Sequence, residues 1–179
     1  MSGIQIILDD NGVIERANKI LAAVPGGVHK AIAAASKRAG EEARTKAGTF
    51  VAQKYTLSKG AFMAKTNQHL TVSDGFTLSF TGSVIGLNRY IAKDRRPNGV
   101  YVHVKRSTGG GMLSHAFFGP NGHVFERVGT SRLPIEKKTG PSGASLMKND
   151  EIIELMEKTI TESFEKRMEV EINRILAGF

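Results

Sequence analysis

A chain of 179 residues with 40% hydrophobic and 23% charged residues has the make-up of one globular domain rather than of a disordered tract. The lack of cysteine excludes disulfides, thiol catalysis and thiolate zinc sites, and no apolar run approaches the ~20 residues that span a bilayer. A formal charge of +8 points toward acidic partners, nucleic acid foremost, with solvated lysines and arginines as the plainer reading.

The first ten residues lack the basic start of a signal peptide, so the expectation is a soluble chain made in a reducing cytoplasm. A short apolar segment, Gly3 to Leu8, runs into Asp9-Asp10-Asn11-Gly12, a turn and helix start. Val13, Ile14, Ala17, Ile20, Leu21 and Val24 then fall at helical spacing, broken by Pro25-Gly26-Gly27. A second helix is predicted from Val28 to about Tyr55, with Val28, Ile32, Ala35, Ala39, Ala43, Ala47, Phe50 and Val51 on one face. Alanine admits a close neighbour but buries little area, so at ~25 cal/mol per Å² the helix needs a partner surface. Gly40 and Gly48 weaken it further, by up to ~1 kcal/mol each.

Tyr55 to Lys65 reads as a turn and a short helix capped by Thr56 or Ser58. In the segment from Gly75 to Val84, Phe76, Leu78 and Phe80 alternate with Thr77, Ser79 and Thr81, the mark of a strand with one buried face. Gly99 to Arg106 alternates too, Val100, Val102 and Val104 against Tyr101, His103 and Lys105. Gly109-Gly110-Gly111 reads as a flexible connection, and residues 115–128 as a hairpin around Gly119-Pro120-Asn121-Gly122. From Asn149 to Ala177 runs a long, mostly acidic helix whose Ile152, Met156, Ile160, Phe164, Met168, Ile172 and Leu176 recur every fourth residue. Four exceeds the helical ~3.6, so this stripe rotates about the axis and one flat groove does not cover it. The expected fold is α+β: N-terminal helices, a small antiparallel sheet of about four strands, and a long C-terminal helix. The chain is expected to form a single domain over 1–179, with an arm at 1–27, a core at 28–147 and the long helix at 148–179.

Reactive constellations are not found. His29, His69, His103, His115 and His123 are scattered, and only His103 and His123 would approach, if their strands paired. The glycine triplet lacks the Lys-Ser/Thr ending of a phosphate loop, mid-chain carboxylates are sparse, and no Gly-x-Ser-x-Gly occurs. No catalytic, metal or cofactor residue is assigned, and the expectation is a non-enzyme that needs no cofactor. Arg89, Lys93, Arg95 and Arg96 cluster around Tyr90, with Lys105 and Arg106 nearby. They suit a grip on a phosphate backbone that reads no sequence, or else a solvated loop.

The stretch HVFERVGTSRLPIEKKTGPS, His123 to Ser142, is the most distinctive in the chain. It resembles the C-terminal signature of the phage minor tail protein Z family of siphophage tails and their prophage relatives. Members carry Val-Phe-x-Arg-Val-Gly-x-x-Arg-Leu-Pro-Ile and then Gly-Pro-Ser. The matching residues are Val124, Phe125, Arg127, Val128, Gly129, Arg132, Leu133, Pro134 and Ile135, then Gly140, Pro141 and Ser142. Residues 116–125 resemble the family's hairpin, and residues 53–60 and 82–93 echo its middle region. The resemblance covers 28–147, and its specific part is 116–142. Two departures stand out: Thr139 where the family often has an aromatic, and Gly143 to Met147 in place of a Pro-Gln-Met-like run.

What the resemblance implies is a structural, non-enzymatic phage tail protein of the virion, made in the bacterial host's cytoplasm, that acts in tail completion and head-tail joining. It would self-associate into a ring on the tail, hexameric by resemblance, touching other tail and neck proteins and, nonspecifically, genome DNA, with no membrane. The docking loop expected from it holds Arg127, Gly129, Arg132, Leu133, Pro134 and Ile135. Pro134 fixes φ and donates nothing to a ladder, Gly129 is expected in a turn closed to other residues, and Arg127 and Arg132 to meet a neighbour's acidic helix. Two other readings stand beside it: a sequence-independent DNA-binding protein, and a neck adaptor of a neighbouring family.

Overall fold

The structure, a computed structural model, describes residues 3–7, 12–72 and 76–178, apart from the side chains of Val72 and Phe76. The Asp9-Asp10-Asn11 turn and the inward placing of Phe76 lie outside the described residues. In chain order the elements are β1 (Gly3–Ile7), α1 (Val13–Ile20), α2 (Gly27–Lys54), α3 (Lys59–Met63), β2 (Thr66–Val72), β3 (Phe76–Gly82), β4 (Ile85–Gly86) and β5 (Ile91–Asp94). There follow β6 (Val100–His103), β7 (Gly111–Leu113), β8 (Ala116–Phe118), β9 (Val124–Arg127), β10 (Ile135–Lys137), β11 (Thr139–Gly140), α4 (Gly143–Met147) and α5 (Asp150–Leu176). The folded backbone divides into two compact units. One holds Gly48–Asn67 and Gly82–Leu146, the other Gly3–Ala47, Gln68–Thr81 and Met147–Phe179.

The second of these is built on α2 and α5. Of the expected face, Ile32, Ala35, Ala39, Ala43, Ala47 and Val51 are buried and are joined by Ala31, while Val28 and Phe50 are only half-buried. The strands β1, β3 and β2 form an antiparallel sheet in that order, with Ile4 opposite Phe80 and Ile6 opposite Leu78. Gly40 explains how close that sheet comes. A Cβ there would stand 2.7 Å from the Gln68 Oε1 and 3.3 Å from Leu78, while the Gln68 amide donates to the Lys37 carbonyl at 2.9 Å. The glycine that weakens the helix in isolation is what lets strands pack on it.

Helix α5 is capped by Asn149, whose side chain accepts from the Glu151 N–H at 3.1 Å. Along its stripe, Ile152, Met156, Ile160, Phe164, Met168 and Ile172 are buried, and Leu176 is exposed. Each four-residue step turns the stripe by about 40°, so the last residue has swung out of the interface. Thr159, Ser163 and Glu171 are drawn into the buried face instead. There Ser163 donates to the Glu42 carboxylate, and Arg38 lies 3.5 Å from Glu171, so α2 and α5 run antiparallel past each other. The hydrogen bond from Ser163, then that from Lys46, hold the Glu42 carboxyl below its usual range.

The other unit carries the remaining strands, and here the expectation needs correcting. In place of one sheet of about four strands, the described residues of this unit form two three-stranded antiparallel sheets, β5-β6-β7 and β10-β9-β8, and the two-stranded pair β11-β4, in addition to the three-stranded β1-β3-β2 sheet. The strands are two to four residues long, too short to build one wide layer. The glycine triplet is no free connection, because Gly111 opens β7 and pairs with Val102. Strand β6 buries Val100 and Val102 but ends at His103, and the Val104 carbonyl instead accepts from the Thr56 N–H at 2.9 Å. Of the two candidate caps for α3, Ser58 is the one used, accepting from the Ala61 N–H at 3.2 Å. Thr56 donates to the His103 carbonyl and accepts from the Ile91 N–H. Among the described residues no helix is long and apolar enough to cross a membrane.

Candidate docking site

The hairpin read from residues 115–128 forms as expected, with Phe117 opposite Phe125 and Phe118 opposite Val124. Its turn contains Asn121 and Gly122 at φ of 59° and 69°. The expected surface loop beyond it is a second hairpin. Strand β9 pairs with β10 through Arg127 to Ile135, Glu126 to Glu136 and Lys137 to Phe125. The chain between them, 128–134, is closed by the Val128 N–H donating to the Pro134 carbonyl at 3.2 Å. Strand β10 starts immediately after Pro134, which accords with a residue that has no N–H to extend the ladder.

Arg127 belongs to the hairpin's own construction. Its guanidinium lies 5.3 Å from the centre of the Phe117 ring, and its Nη1 donates to the Arg132 carbonyl at 2.8 Å. Phe117 in turn stacks on Phe125 at 6.2 Å. The side chain expected to reach for a neighbour instead lies along its own hairpin and braces the loop while staying exposed, and Arg132 is exposed at the tip as well. Around Arg132 stand Val128, Leu133 and Ile135, with exposures of 58%, 68% and 39%. Apolar side chains left in water on a braced loop are the outstanding feature of this hairpin.

Gly129 is corrected. Its φ is not in the left-handed range and a Cβ added there meets nothing within 4 Å, so the turn does not require glycine. The glycines under constraint lie elsewhere. Gly99 has φ of 104°, and its Cβ would collide with the Leu113 carbonyl oxygen.

Facing Glu126 and Glu136 across β9 and β10 puts like charges side by side, which Lys138 relieves by pairing with Glu126. That hydrogen bond and charge push the Lys138 ammonium above its ordinary pKa. Lys137 donates to His123 Nε2 at 3.3 Å. The Gly-Pro-Ser that closes the stretch is structural. A Cβ on Gly140 would stand 2.5 Å from the Tyr90 ring, the Tyr90 hydroxyl donates to the Pro141 carbonyl at 3.1 Å, and the Ser142 Oγ accepts from the Ser145 N–H at 3.0 Å. Burial pushes the Tyr90 phenol up to about 12, with Tyr55 adding to it. In sequence Tyr90 stands out only within the basic cluster and Ser142 only within the Gly-Pro-Ser, and neither is marked there for this structural role.

The six basic residues do not form one patch. Lys93, Arg95 and Arg96 stand on β5 and the turn that leads to β6, where Arg96 pairs with Asp94 at 2.8 Å. Arg89, Lys105 and Arg106 lie beyond the opposite end of that hairpin, since Ile91 pairs with His103. Four paired residues, about 13 Å of strand, separate the groups. Arg106 is committed to α2: its Nε donates to the Ala52 and Tyr55 carbonyls at 3.2 and 2.9 Å, capping the helix's C-terminal end. His103 ends β6 while His123 lies just before β9, and β6 and β9 belong to different sheets, so the expected pairing does not occur. Among the described residues no three of His, Asp and Glu come together as a metal site.

Compared with protein families, curated proteins and solved structures, the chain matches none of them.

Proposed function

We propose that this protein is a structural component that assembles with other proteins through the β9-β10 hairpin, as a phage tail-completion protein would at the head-proximal end of a tail. One observation carries the reading: Val128, Leu133 and Ile135 are exposed on a loop that Arg127 braces. A loop ordered before its partner arrives loses less entropy on docking, and apolar side chains at its tip supply the gain. The Val-Phe-x-Arg-Val-Gly-x-x-Arg-Leu-Pro-Ile string supports the tail assignment by resemblance alone.

The test is to label the chain with a specific antibody on purified tailed particles whose genome encodes it, and to image them by electron microscopy. Label at the junction of head and tail is expected. Particles that lack the chain overturn the reading. The DNA-binding alternative rests on the surface cations at the two ends of the β5-β6 hairpin. It requires duplex affinity that falls steeply between two salt concentrations. A neck adaptor would be labelled on the head side of the junction.

A further inference from the structure

We propose that the hairpin tip docks on a second copy of this same chain, in the groove between α1 and α5. This rests on the reading that the hairpin is an assembly surface, and it names the partner. The groove is lined by Val13, Arg16 and Ile20 from α1 and by Glu169, Ile172 and Asn173 from α5. Val13 and Ile172 are buried in its floor, while Ile20 in its wall is 52% exposed. Leu176 stands one turn beyond Ile172 and is exposed, so it continues the apolar face.

The two surfaces are complementary in kind. The tip offers Leu133, flanked by Val128 and Ile135, and the exposed cation Arg132, with Arg127, also exposed, bound to the Arg132 carbonyl. The groove offers an apolar floor and wall, with the Glu169 carboxylate on its α5 side and the Arg16 guanidinium on its α1 side. Charge favours the same pairing over the length of the chain. Helix α5 holds eight of the chain's 17 acidic residues and only four of its 25 basic ones, so it is the acidic element of a basic protein. Leu133 would fill the groove against Ile20 and Ile172 while Arg132 meets Glu169. Hairpin and groove are different surfaces, so the contact is heterologous: each copy gives one and receives one, which produces a ring or an open chain.

Because Leu133 and Ile20 are exposed, Leu133→Asp and Ile20→Asp remove the knob and the groove wall without emptying a core. The full-length protein is followed by sedimentation velocity over about a hundredfold range of concentration. The wild type should grow with concentration, and each variant alone should stay a monomer. An equimolar mixture of the two variants should stop at the dimer, since only one intact hairpin–groove pair can form. Arg132→Glu and Glu169→Arg should each weaken association roughly tenfold, and the double exchange should recover it. A wild type that stays monomeric throughout overturns the proposal, as does association that both Asp variants retain or a mixture that grows past two. Circular dichroism confirms that each variant is folded. Labelling of tailed particles is independent of this outcome: a monomer found at the head-tail junction sinks this interface alone, and association without the label sinks the tail assignment alone.

Discussion

Arg106→Ala separates a structural arginine from a DNA-binding one. Its Nε donates to the Ala52 and Tyr55 carbonyls at 3.2 and 2.9 Å, and its own N–H donates to the Lys54 carbonyl at 2.9 Å. The substitution keeps the last bond and removes the other two, leaving two carbonyls at the end of α2 to water. A hydrogen bond with a charged partner contributes ~1.5–3 kcal/mol when sheltered. These are exposed, so screening brings the pair down to about 1 kcal/mol, and the cation at the negative end of the helix adds ~0.3–1 kcal/mol. The expected loss is about 1–2 kcal/mol, or roughly 2–8 °C in Tm for a chain of this size. Arg106→Lys should lose about half, because it keeps the charge without the fixed geometry. Thermal unfolding by circular dichroism reads the loss, with a duplex titration at two salt concentrations beside it. An unchanged Tm, accompanied by a fall in the salt slope of close to one, would refute the capping role and make Arg106 a phosphate contact.

Three further outcomes follow from the packing. Gly99→Ala should cost at least ~2 kcal/mol, from the collision with the Leu113 carbonyl and a φ of 104°, whereas Gly129→Ala should stay within ~0.5 kcal/mol; urea midpoints decide both. Tyr90 keeps its proton until about pH 12, while the unfolded chain releases it near 10. Ionisation therefore favours unfolding, and stability should fall as pH rises from 10 to 12, less so in Tyr90→Phe. Phenolate absorbance against pH checks the titration itself. Phe164→Ala empties a fully buried site on α5 and should cost ~3–5 kcal/mol in the same urea assay, and a loss under 1 kcal/mol would mean that the helix repacks.

The candidate site was legible in part. The twelve-residue string and its turns marked 124–142 as ordered surface, and Pro134 marked the end of a ladder, because proline's missing N–H acts within one residue. The bracing role of Arg127 was not legible, since it needs a phenylalanine ten residues away on another strand. The same holds for Gly129. Glycine in sequence says that any φ is allowed, and only the folded chain tells which glycine uses that freedom.

What the sequence determines by itself is whatever near neighbours decide. The alanine face of α2, the stripe of α5, the Leu78–Phe80 alternation and the turn at Gly119–Gly122 all follow from periods of a few residues and local turn chemistry. What only the tertiary structure decides is who stands beside whom. Alternation says which face of a strand is buried and nothing about which strand adjoins it, so 2–4-residue strands were sorted into separate small sheets by contacts their own patterns do not contain. Arg106 reaches carbonyls 51 and 54 residues back, and Tyr90 one 51 residues ahead. A backbone carbonyl is the same chemical group in every residue, and so the sequence carries no mark of which ones a distant side chain will find.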